Sequence, residues 1–195
     1  MTPPSSGTAA RLGEDLATGT EHVLFSTLLG SALVPRVLRR AVLNAAGARV
    51  GSGPGTGFSL TGSPRNLTIG HGVFCNKHVS IEAVAPVSIG DGTAIGMQTL
   101  IVTSHHGIDD AGDWEREAGG RPVAIGAGVW IGARTTVLPG AVVEDGVIVA
   151  AGAVVAGRLA SGGLYGGVPA RRLRDLGGRV PDQNGSRGNP GSVGS

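Results

Sequence analysis

Residues 125–157 read IGAGVWIGARTTVLPGAVVEDGVIVAAGAVVAG, and this stretch decides the fold. An aliphatic residue returns at every sixth position: Ile125, Ile131, Val137, Val143, Val149 and Val155. The same phase runs back through Ile101, Ile95 and Ile89, then less cleanly through Ile81, Cys75 and Ile69, with two extra residues around Pro86. Four positions after most of them stands a small or β-branched residue: Thr93, Thr99, Val129, Thr135, Ala141, Val147, Ala153. A period of six is neither the two of a strand nor the 3.6 of a helix. A short extended piece followed by a turn accounts for it, with first and fifth positions on the same inward side. Stacked units then bury a continuous column of Ile and Val that no single unit could bury. The sequence reads as a solenoid of parallel strands.

Composition agrees. The 195 residues include 36 Gly and 11 Pro but only six aromatics, whereas an ordinary domain carries roughly 7% Gly. The glycines do not recur every third residue, which excludes collagen, and 41% hydrophobic content excludes disorder of the whole chain. The net charge of +2 gives no reason to invoke nucleic acid. A single cysteine, Cys75, excludes an intrachain disulfide framework and fits a reducing compartment. Its place in the repeat makes it a small core residue. The N-terminus lacks the pattern of a secretory signal, and the apolar stretch from Val23 to Val34 is too short to span a bilayer. The expectation is a soluble, cytoplasmic protein.

The motifs Ile-Gly-Ala-Gly-Val-Trp-Ile-Gly-Ala (125–133), Leu-Pro-Gly-Ala (138–141), Ala-Gly-Ala-Val-Val (151–155) and Gly-Val-Pro-Ala-Arg (167–171) occur in order. Together they resemble the hexapeptide-repeat acyltransferases, in particular the O-acetyltransferase branch typified by the galactoside, maltose and virginiamycin enzymes. The resemblance covers about residues 66–174. It implies an all-β fold, a left-handed parallel β-helix with three hexapeptides per coil. It further implies a homotrimer with active sites between subunits, acetyl-CoA as acyl donor, a small hydroxylated acceptor and no required metal.

Outside the repeats, residues 1–16 and 177–195 are Gly-, Pro- and Ser-rich and read as disordered tails. Residues 17–48 carry helical spacing interrupted at Pro35, which predicts a short helical segment on the N-terminal end of a β-helix domain over 49–176. A basic amphipathic segment lying on a membrane surface is the rival reading. After Pro169, the run Ala-Arg-Arg-Leu-Arg-Asp-Leu predicts a short closing C-terminal helix.

Chemistry is expected at the interruption of the repeat, the polar excursion 107–124. His105 and His106 stand just before it. Counted from Ile101, His105 occupies the inward fifth position and His106 the outward turn. Thr103-Ser-His-His106-Gly-Ile-Asp also resembles the family pattern Thr-x-x-His-Pro-Leu-Asp, which implies that His106 is the general base, with Gly107 in place of proline. Imidazole suits the task because it takes a proton near neutral pH. Glu115 and Glu117 are candidates to orient it. By resemblance, Asn76 is an acceptor contact. The family's acidic acceptor contact falls at Val84, so Glu82 is the nearest available carboxylate for acceptor binding. Coenzyme contacts implied by resemblance are Ala133, Ala151, Arg171 and Arg174, with Trp130 nearby. Arginine supplies paired donors for phosphate. The family's Thr-Lys pair is replaced by Ala156-Gly157, and Arg158 is placed to compensate. The rival functions are an N-acyltransferase and a non-catalytic trimeric scaffold. A γ-type carbonic anhydrase would need a further histidine, and none follows His106.

Overall fold

An aliphatic side chain every six residues can share one interior only if the chain turns after each short strand. The computed structural model, which describes residues 23–177, shows that path. The first coil contributes β1 (Arg49–Val50) and β2 (Ser59–Gly62), and the second β3 (Leu67–Ile69), β4 (Phe74–Cys75) and β5 (Ser80–Ala83). The third holds β6 (Val87–Ile89), β7 (Ala94–Ile95) and β8 (Leu100–Ile101). A hairpin of β9 (Ser104–Ile108) and β10 (Trp114–Gly120) then interrupts the stack. The fourth coil has β11 (Val123–Ile125), β12 (Trp130–Ile131) and β13 (Thr136–Val137), and the fifth β14 (Val142–Val143), β15 (Ile148–Val149) and β16 (Val154–Val155). The sixth has β17 (Arg158–Leu159) and β18 (Gly163–Gly166), followed by β19 (Arg171–Asp175).

Three sheets result. The first runs β1-β3-β6-β11-β14-β17, the second β19-β18-β15-β12-β7-β4, and the third β16-β13-β8-β5-β2. Consecutive regular coils pair in parallel 18 residues apart, as in Ile131 against Val149 and Val137 against Val155. First-position residues from Ile69 to Val155 are buried, and so are the seven small or β-branched fifth-position residues. The buried threonines are satisfied by carbonyls: Thr93 donates to Gly126, Thr99 to Gly96 and Thr135 to Gly132, at 2.7–2.9 Å. Inward polarity is thereby tolerated.

The turns from the second sheet to the third form one column. His78, Gln98 and Arg134 adopt left-handed φ near 60° there, and Gly152 takes the same place one coil further on. That conformation costs a side-chain-bearing residue, and here the stacked main chain holds it: Gln98 N–H donates to the Lys77 carbonyl, Arg134 N–H to Met97 and Gly152 N–H to Ala133.

Helix α1 (Arg36–Ala45) covers the N-terminal end, after a π-helical turn at Val23–Leu28. Its attachment rests on Arg39, only 2% exposed, whose guanidinium donates to the carbonyls of Leu29 and Ser31 at 2.6 Å and of Pro54 at 3.1 Å. Burial depresses the pKa of this arginine, with the charge of Arg36 adding to the effect. Leu43 sinks fully into the core beside it.

The C-terminal helix expected after Pro169 does not form. Residues 171–175 are instead β19, antiparallel to β18. The reason is an open ladder: β18 would otherwise present unpaired main-chain groups at the end of its sheet. Arg172 pins the reversal by donating to the carbonyls of Ser161 and Gly162, pairing with Asp175 at 2.7 Å and lying over the Tyr165 ring. The tails expected over 1–16 and, beyond Gly177, over 178–195 lie outside the described residues, as does the segment 17–22.

Candidate active site

The excursion is a two-stranded hairpin rather than a loop, with Ser104 opposite Gly120, His105 opposite Gly119 and His106 opposite Ala118. It leaves the solenoid because buried Thr103 is the last inward residue of its coil, its carbonyl taken by Arg121 N–H. His105 is therefore carried on the hairpin, half-buried against Gly119, and does not fill the inward slot that the register assigned it. Its Nδ1 is buried and makes no hydrogen bond.

His106 is exposed, as the register predicts. Its Nδ1 lies 2.8 Å from the main-chain oxygen of Glu115. A carbonyl oxygen can only accept, so the proton belongs on Nδ1 and Nε2 of the neutral ring keeps its lone pair. The Trp114 indole meets the imidazole edge to face, with centroids 5.4 Å apart and planes at 88°. Glu115 thus orients His106 through its backbone. Its carboxylate lies over Gly107, where an added Cβ would require this flexible side chain to shift. The side chain of Glu117 lies outside the described residues. The sequence carries no sign of the Trp114 contact, whereas Glu115, a candidate to orient the ring, meets it through its main-chain oxygen and not its carboxylate.

The remaining candidates divide between two corners of the triangular section. Glu82, at the end of β5, shares the corner of His106, and its carboxylate accepts from Thr103 and Ser104. Asn76, Ala133 and Ala151 lie in the turn column between the second and third sheets, at the opposite end of the third-sheet strands. The Asn76 side-chain oxygen accepts from Lys77 N–H at 2.8 Å. Trp130 is exposed on the second sheet between Ala94 and Ile148. Arg171 and Arg174 are exposed on β19 at the end of that sheet, opposite Gly166 and Leu164. One chain thus does not bring His106 together with Asn76. Arg158 is held by Glu144, whose carboxyl is kept below the usual range chiefly by the Ser161 N–H and then by this guanidinium. Cys75 is buried, which pushes its thiol up to about 12. Among the described residues there is no group of three or more His, Cys, Asp or Glu able to hold a metal, and no helix is long and apolar enough to cross a membrane.

Residues 122–157 match the family of bacterial transferase hexapeptides (six repeats). The chain is similar to nodulation protein L of Rhizobium leguminosarum bv. viciae, 46% identical over 38% of this chain and 40% of that one. It is also similar to the putative lipopolysaccharide biosynthesis O-acetyl transferase WbbJ of Escherichia coli K12, 32% identical over 51% of this chain and 55% of the relative. The matches thus span about half the length of these curated relatives or less. Among solved structures, the hexapeptide-repeat acetyltransferase VCA0836 of Vibrio cholerae O1 biovar eltor, complexed with acetyl coenzyme A, superposes with a TM-score of 0.70. It is 25% identical, over 88% of this chain and 91% of that one. The fold is the left-handed parallel β-helix. The chain is thus similar to the hexapeptide-repeat transferases in both its repeat and its fold.

Proposed function

We propose that the protein is an acetyl-CoA-dependent O-acetyltransferase that acylates a hydroxyl of a sugar or sugar-like metabolite. The carrying observation is the His106 imidazole, exposed on a hairpin, with its Nδ1 proton committed to the Glu115 carbonyl. That assignment presents Nε2 as the base. Nε2 removes the proton of the acceptor hydroxyl while the oxygen attacks the thioester carbonyl carbon. As the C–S bond breaks, the electron pair leaves with sulfur, and the imidazolium returns its proton to give free coenzyme A. The acetyl-CoA-bound relative of the same fold supports the choice of donor.

The two-corner arrangement supports a homotrimer, because a pocket that uses both His106 and Asn76 draws them from different subunits. Asn76 stands as the acceptor-side candidate, and Trp130, Ala133, Ala151, Arg171 and Arg174 as the coenzyme-side ones. The test is to incubate the protein with acetyl-CoA and a panel of glycosides, hydroxylated metabolites and amines, following thiol release. Acceptor-dependent release with hydroxyl compounds is expected. Release with amines alone would move the assignment to N-acylation, and a lack of coenzyme binding by calorimetry would favour a non-catalytic scaffold.

A further inference from the structure

Glu82 stands on the outer side of β5, one residue past the last rung, Ile81 with Ile101, that β5 shares with β8. Beyond that rung the two chains part. The lower coil spends eight residues from Ile81 to Ile89 where the repeat spends six, and the upper chain turns out into β9. The amide N–H groups of Thr103 and Ser104 consequently have no carbonyl of the lower coil as acceptor. The Glu82 carboxylate replaces it: Oε2 accepts from Thr103 N–H at 3.2 Å and Ser104 N–H at 3.0 Å. The Ser104 hydroxyl donates to the same carboxylate, 2.8 Å from either oxygen. The Thr103 hydroxyl completes the joint, donating to the Glu82 carbonyl at 2.8 Å and accepting from Ala85 N–H at 3.0 Å.

Charged acceptors make hydrogen bonds roughly twice as strong as neutral ones, so this joint ties the start of the outgoing arm firmly to β5. Ser104 and His106 lie two residues apart on one strand and therefore on one face. Fixing the first orients the second. Three of the carboxylate's roughly four lone-pair sites are thereby engaged within the chain.

We propose that Glu82 is a positioning residue: its carboxylate, through Ser104, holds the hairpin so that the His106 imidazole keeps its contact with the Glu115 carbonyl. It does not bind the acceptor. The proposal rests on the reading of His106 as the base, and its test is built to separate the two. Glu82→Ala, Glu82→Gln and Ser104→Ala are made in the full chain labelled with ¹⁵N-histidine. In the parent protein the His106 ring should show the Nδ1-protonated tautomer. Glu82→Ala should average that signal toward a tautomer mixture and speed amide exchange at Ser104. With the best acceptor found, kcat should fall about 10- to 100-fold, the cost of a misplaced group. KM for acetyl-CoA and for the acceptor should stay within about twofold, because uniform binding is untouched. Glu82→Gln, which keeps one acceptor oxygen, should recover part of both effects. Ser104→Ala, which keeps the two amide bonds, should show the same effects in smaller measure and serves if Glu82→Ala folds poorly. A raised acceptor KM with kcat preserved would make Glu82 an acceptor contact and overturn the proposal. An unchanged His106 signal in all three variants would also overturn it. Full turnover by His106→Ala would instead remove the base assignment, leaving the tautomer and exchange readouts to judge the latch.

Discussion

The His106 imidazole takes its tautomer from a main-chain atom nine residues away, so the side chain of Glu115 itself need not be present for Nδ1 to be protonated. Replacing the ring itself is another matter. His106→Ala is expected to lower kcat by about 10²- to 10⁴-fold, the usual loss for a positioned base, with coenzyme affinity kept. His105→Ala removes a buried nitrogen that already lacks a partner, so turnover near that of the parent protein is expected. Paired kinetics of the two variants decide this, and an exchange of their phenotypes would reverse the roles. At Cys75 the folded thiol ionises only near pH 12, burial outweighing the opposing charge of Arg36. The unfolded thiol ionises at about pH 8.5. The folded-state pKa is the higher one, so its stabilisation is complete below the unfolded value and is lost as pH rises between the two. The loss is up to about 1.4 kcal/mol per pH unit. Urea midpoints should therefore fall between pH 8 and 10 by more in the parent than in Cys75→Ala, and equal slopes would refute the effect.

At the scale of elements, β19 divides its arginines by task. Arg172 is spent on Ser161, Gly162, Tyr165 and Asp175. Arg171 reaches only the adjacent Ala170 carbonyl, and neither it nor Arg174 has a carboxylate partner among the described residues. Arg171→Ala with Arg174→Ala should thus weaken coenzyme A binding, more at low salt than at high. Arg172→Ala should lower the melting temperature while leaving affinity closer to that of the parent. Unchanged affinity in the double variant at low salt would discard the assignment. The same strand shows where sequence reading ran out. Arg-Arg-Leu-Arg-Asp offers apolar positions too few to distinguish helix from strand, and the deciding factor was the exposed ladder of β18, fixed by distant residues. Arg39, and the hydrogen bonds made by Glu82, escaped notice for a related reason: most of their partners are main-chain groups, which leave no trace in side-chain pattern.

For the whole molecule, the solenoid was legible because one inward position every six residues is a demand each coil repeats, from Ile69 to Val155. His106 was legible because the excursion breaks that rhythm right after it. The separation of His106 and Asn76 onto two corners was not, since period alone does not say which corner a turn occupies. Phe74, Leu100 and Trp130 also leave apolar surface on the outer sheet faces. Light scattering at micromolar concentration should give three times the chain mass, and a monomer mass would exclude a site shared between subunits. The stack carries a further consequence. Each coil advances the chain by about 4.8 Å. From β8, whose coil ends in the hairpin, to β18, against which the arginines of β19 lie, is three coils, or about 14 Å along the axis. The axial spacing between the hairpin of His106 and the arginines of β19 is therefore quantised. Like a caliper with fixed notches, it can be reset only by adding or removing a whole turn of 18 residues, so on the proposed function the reach demanded of a donor's linker is written in the number of coils.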